Sequence, residues 1–180
     1  MKKLKKLLRE QKNTISEMWL DKLFNTYSPD AVKLFAGNKN QFTNPVGHRL
    51  SEGIKGAFEA IVEDDNEALT ENLDKIIRVR SVQDMSASQS LAFVFFLKDV
   101  VRRALKNHLK GPGMMAELTG FDARVDAAAL QAFDVYVQCR DRVFEVRVSE
   151  LKRNVAQILK MSGYFENDPD SPPDQELGKI

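Results

Sequence analysis

Two arginines stand where the pattern of the chain calls for apolar side chains. Arg80 follows Ile76 by four positions and falls on the helical face of Leu69 and Leu73. Arg140 lies between Val137 and Phe144 on the apolar stripe of a long helical pattern. A guanidinium on an apolar face needs a carboxylate or a ligand anion, because burying it alone costs too much. Asp134 and Asp99 are the acids placed to serve as partners. An internal ion pair, or a side chain that snorkels to water, is the simpler reading. An anionic effector pocket is the functional one.

The other residues that could do chemistry form no constellation. His48 and His108 are far apart, and His108 continues the stripe Val94, Leu97, Val101, Leu105. Either could ligate a haem in a globin-like fold. A histidine at a helix end, favoured by the helix dipole, is the simpler reading of His108. There is no His-x-x-x-His, no Glu-x-x-His and no dicarboxylate spacing, so no metal site is expected. The single cysteine, Cys139, excludes an intramolecular disulfide and a cysteine-built metal site, and sits in a helical pattern as a packed thiol. No glycine-rich phosphate loop, nucleophile elbow or pair of catalytic acids is present. The sequence thus offers no catalytic residue and calls for no cofactor, and an enzyme is not expected.

The segments that would position these residues are helical. Residues 3–26 carry Leu4, Leu8, Ile15, Met18, Trp19 and Leu23 near one face. Ser28-Pro29 opens a short helix over 29–36, stopped at Gly37-Asn38. Asn44-Pro45 opens another, to about Asp64, in which Asn44 caps, Pro45 sets the first turn and Gly47 permits close approach. Gly53, Gly56, Ala57 and Ala60 leave that helix a face of small residues for a close neighbour. A further helix covers 66–82. Ser86 and Gln89 then have the spacing of a capping box, and Leu91 to Leu97 are seven apolar residues in a row. An all-round apolar helix over 87–109 belongs at the centre of a domain. Gly111-Pro112-Gly113 reads as a break, and Asp122 as the cap of a last helix running to Ser162. In that helix Leu130, Val137, Phe144, Leu151 and Ile158 recur every seven residues, joined by Val148 and Val155. Some 40 residues of helix would span about 60 Å, which calls for a bend near Asp141-Arg142 or a seam with a second copy. The β-branched run Val143 to Val148 is the one place where a strand competes.

The chain is therefore all-α: a single compact bundle of about six helices with a long C-terminal helix, over residues 1–164. Residues 165–180, acidic and proline-containing, read as a disordered tail. With 43% hydrophobic and 29% charged residues it should fold, and a net charge of +1 gives no field to attract nucleic acid. The cluster Lys2, Lys3, Lys5, Lys6, Arg9 and Lys12 reads as a solvated helix face. No apolar stretch is long enough for a membrane span or a signal peptide, so a cytoplasmic protein is the default.

Several of these segments together resemble a known family. Trp19 with Leu20, Leu23 and Tyr27, then Phe42-Thr43-Asn44-Pro45-Val46-Gly47, is similar to its opening. Arg80-Ser81-Val82-Gln83, then Ser86-Ala87-Ser88-Gln89 and Phe93 to Lys98, is similar to its middle, with Ser81 where alanine is usual and Ala87 where proline is usual. Phe133-Asp134-x-Tyr136, Cys139-Arg140 and Arg147-Val148-x-Glu150 are similar to its end. The family is the RsbRD N-terminal domain, named for RsbT co-antagonist proteins of the bacterial stressosome, and the resemblance covers about residues 5–163. It implies a helical input domain that regulates rather than catalyses in bacterial stress signalling. It also implies a globin-like arrangement without haem, and dimerisation. A STAS output domain usually follows such a domain. Here an acidic tail follows, so the resemblance implies signalling through another protein or through rearrangement of a homodimer. The leading reading is a sensory domain acting through protein contacts. A haem-binding globin-like sensor, and an accessory subunit or assembly factor of a larger complex, are the alternatives.

Overall fold

The computed structural model describes residues 2–36, 44–83 and 85–162. Among these residues there are eight helices and no strand: α1 (Lys2–Glu10), α2 (Lys12–Phe24), α3 (Pro29–Ala36), α4 (Pro45–Glu63), α5 (Asn66–Ser81), α6 (Ala87–Leu91), α7 (Phe93–Ala104) and α8 (Pro112–Met161). Two of the six helices read from the sequence are each split once. The first breaks at Gln11, where ψ reaches 14° although the i→i+4 bonds on either side persist. The central one breaks at Ala92, where Phe95 N–H donates to Ala92 O, 3.1 Å, a tighter turn than an α-helix makes. The stop at Gly37-Asn38, the tail over 165–180, and Phe42 and Thr43 lie outside the described residues.

The caps define the starts. Asn44 Oδ1 accepts from Gly47 N–H at 2.9 Å, with Pro45 in the first turn of α4. Asp65 does the same for α5 through Ala68 N–H, 3.0 Å. The capping box of α6 is formed: Ser86 Oγ accepts from Gln89 N–H at 3.2 Å and Gln89 Oε1 from Ser86 N–H at 2.9 Å. The last helix begins ten residues before Asp122. Gly111, at φ 84°, makes the turn that only glycine makes cheaply, and Pro112 opens the helix. What reads as a breaker is a start signal. Val143 to Val148 is helical.

The chain divides after Arg140 into two units. The first is a bundle. In it α4 packs most extensively on α5, and α2 lies against α7 and α4. Its core includes Trp19, Leu23, Leu50, Phe58, Leu73, Ile77, Phe93, Leu97 and Phe121. The α4–α5 contact is made through glycine. A Cβ at Gly53 would stand 2.6 Å from Ile76 Cγ1 and 3.1 Å from Asn72 O, and one at Gly56 would overlap the Asn72 side chain. Gly53→Ala should therefore cost about 1 kcal/mol net in urea unfolding, overpacking of about 1–3 kcal/mol outweighing alanine's better helix propensity. A gain in stability would show that the helices part without strain.

The central helix is less central than its apolar run suggests. Phe93, Val94 and Leu97 are fully buried, but Phe95 is 48% exposed, with Lys98 Nζ over its ring at 5.8 Å. Residues 91–97 are apolar on every side, yet only part of that surface meets the core.

The basic start of α1 is engaged by the bundle. Lys5 and Arg9 both bind Glu63, at 2.9 and 2.7 Å, and Lys12 pairs with Glu59. These bonds, Arg9's first, lower the Glu63 carboxyl from the ordinary 4.5 to about 2. Glu117 is also lowered, chiefly by accepting the Leu4 N–H at the open end of α1. A carboxyl held lower in the folded chain stabilises it above the unfolded value and loses that contribution as pH falls through the folded one. The thermal midpoint should thus begin to fall below about pH 4.5 and continue to about 2. Glu63→Gln should flatten part of that acid limb. An unchanged limb would assign it to other carboxylates.

Within the bundle α8 uses two rows of residues. Leu118, Phe121, Val125, Ala128, Ala132, Val135 and Cys139 are buried. Beside them Glu117, Arg124 and Gln131, seven apart, hydrogen-bond to the ends of other helices. Arg124 donates to Ile61 O and Val62 O at the end of α4, and Gln131 to Asn66 O at the start of α5. The heptad residues Leu130 and Val137 are on neither row and, like Phe133, are exposed. The second unit is described over residues 141–162, nearly all of it the end of α8. Phe144, Leu151, Val155, Ile158 and Met161 are exposed there.

Candidate functional site

Arg80, in the last turn of α5, is fully buried. Its Nε donates to Ser90 O at 2.8 Å and its Nη2 to Gln89 O at 2.8 Å. Its Nη1 donates to Thr26 Oγ1 at 3.1 Å, and Thr26 Oγ1 in turn donates to Leu23 O. The guanidinium lies over two aromatic rings, with Cζ 5.0 Å from the centre of Tyr27 and 5.8 Å from that of Phe93. Phe93 stacks on Trp19 at 6.1 Å, and Trp19 Nε1 donates to Phe93 O at 2.7 Å. One cation thus joins the turn after α2, the end of α5 and the α6–α7 break.

The local sequence explains this. The helical ladder lapses at Ala92, so carbonyls just upstream are open to outside donors. A planar guanidinium has the fork to take two of them at once. The negative end of the α5 dipole and the faces of Tyr27 and Phe93 supply the remaining stabilisation of the charge. Among the described residues no carboxylate lies within ion-pair distance of Arg80. An anion is therefore not required: carbonyl dipoles and π-faces take its place.

The other candidates are dispersed. Arg140 is exposed, and its Nη1 donates to Ser81 O, 3.1 Å, at the end of α5. Asp99 pairs with Lys22 at 3.2 Å, and Asp134 is exposed on α8. Neither acid meets Arg80 or Arg140 among the described residues. The pairing read from the sequence is therefore corrected: Asp99 belongs to α2–α7, and the arginines serve carbonyls. His108 is exposed in the turns after α7, and His48 Nε2 faces Glu52 Oε1 at 3.5 Å on α4. Cys139 is buried. Among the described residues no three histidine, cysteine or acidic side chains are grouped as metal ligands.

The residues missed by sequence reasoning are Thr26 and the Gln89 and Ser90 carbonyls. Ser90 Oγ, fully buried beside them, has no hydrogen-bond partner among the described residues. The signal that could have found the cluster was the resemblance. Trp19, Tyr27, Arg80, Gln89 and Phe93, which carry two of its three segments, meet in this one place.

Residues 13–151 match the family described as the RsbT co-antagonist protein rsbRD N-terminal domain, and the chain belongs to that family. Stressosome-type signalling input is the function that membership implies. No curated protein and no solved structure matches. Among the described residues no helix is long and apolar enough to cross a membrane.

Proposed function

We propose that this chain is a non-enzymatic, cytoplasmic regulatory domain that signals through protein contacts, with a second copy of itself as the partner of α8. The exposed stripe of the second unit carries this reading. Phe144 and Ile158 are 68% and 64% exposed, and Leu151 between them 63%. With Val148 and Val155 they make an a/d seam over residues 144–158. Valine at a with large apolar residues at d is the pattern of a two-stranded coiled coil. A monomer would leave that seam in water, which soluble chains seldom do. It would also leave the end of α8 with no packing partner in its own unit, although isolated helices of this length are marginal in water. The bundle has its own core, so rearrangement at the seam is the natural output of events sensed in it.

Light scattering on the purified full chain at tens of micromolar concentration tests this. The mass of a dimer is the expected result. The mass of a monomer would defeat the homodimer and leave the stripe to another protein.

A further inference from the structure

A cleft of about 420 Å³ opens in the first unit between the first turns of α4 and the middle of α5. It is separate from the Arg80 cluster. Val46 and Val79 give it apolar walls, and His48, Arg49, Glu52 and Lys75 give it charge. The charges do not balance. Glu52, which faces His48 at 3.5 Å, is the one carboxylate against the two cations Arg49 and Lys75. Lys75 is half-buried, and its Nζ donates to the neutral Asn72 Oδ1 at 3.1 Å. Among the described residues neither Lys75 nor Arg49 has a carboxylate within ion-pair distance. Some cations of the bundle are paired across helices: Lys5 and Arg9 with Glu63, Lys98 with Asp126, Arg102 with Asp122. Arg49 and Lys75 differ from the bundle's other unpaired cations in sharing a concave, partly apolar surface. The walls are also preformed, because Gly53 and Gly56 seat α4 against Asn72 and Ile76, next to Lys75. The volume is at the lower end of small-molecule sites, which are mostly apolar with a few converging polar groups.

We infer that this cleft binds a small organic anion, its carboxylate or phosphate head between Arg49 and Lys75 and its short apolar body on Val46 and Val79. Such a ligand gives the module a chemical input at α5, the helix that ends in Arg80. The inference stands apart from the dimer, since it concerns only the bundle.

The test is a titration of the isotope-labelled full chain at constant ionic strength with three probes: inorganic phosphate, hexanoate and hexyl phosphate. Backbone amide shifts are the readout. Saturable shifts centred on Val46, His48, Arg49, Lys75 and Val79 are expected with hexanoate or hexyl phosphate, and which of the two binds more tightly identifies the head group. Arg49→Gln, a change at an exposed side chain, should weaken binding by about tenfold, the loss of one charge-assisted contact. Lys75→Gln should do likewise with the melting temperature unchanged. Shifts that never saturate, that saturate only with inorganic phosphate, or that survive both substitutions would overturn the inference.

Discussion

Arg80→Met should destabilise the bundle by about 3 kcal/mol, whatever ions the buffer contains. The substitution keeps much of the apolar volume and removes the three donors that hold Ser90 O, Gln89 O and Thr26 Oγ1. Hydrogen bonds from a charged donor contribute about 1.5–3 kcal/mol each, and each cation–π contact about 0.5–2 kcal/mol. Relief of the buried charge returns part of that sum. Arg80→Lys should recover little, because one ammonium cannot reach both carbonyls and lie flat between Tyr27 and Phe93. Chemical denaturation measures both. Arg80→Met within about 0.5 kcal/mol of the parent would mean that the clasp contributes nothing net. A loss that appears only in the presence of an added anion would restore the effector reading of this residue.

The second large effect is on association. Leu151→Glu and Ile158→Glu each place a carboxylate in the proposed seam of α8, opposite its own copy. Like charges at facing core positions should convert the dimer to monomer at the same concentration. The bundle should be indifferent. Its core ends at Cys139, so the thermal transition of the bundle should keep its midpoint. If these variants unfold the bundle, residues 151 and 158 support it, and the seam is not a separate interface.

Local signals were legible in the sequence. Ser28-Pro29, Asn44-Pro45 and Ser86 with Gln89 place the starts of α3, α4 and α6 because each is a short-range cap with its own chemistry. The small face of α4 was legible too, since Gly53 and Gly56 have no use in a helix except close packing. The breaks at Gln11 and Ala92 were not, because no proline or glycine marks them. The break at Ala92 coincides with donors from α2 and α5 that the local sequence does not display. For the same reason Arg80 stood out as unusual while its partners stayed hidden: backbone carbonyls and ring faces belong to every sequence. On α8 a seven-residue repeat was visible, but not that the bundle buries a different row, Phe121 to Cys139, and leaves the repeat outside. Two apolar rows on one helix cannot be assigned without knowing which neighbour arrives first.

Amide hydrogen exchange over residues 144–158 tests the central claim most directly. Within its own unit this stretch of α8 has no packed neighbour among the described residues, and a seam with a second copy would protect it. In a dimer its amides should be protected, and the protection should rise with protein concentration and vanish in Leu151→Glu. Fast exchange at every concentration, or protection that Leu151→Glu leaves intact, would contradict a seam between two copies.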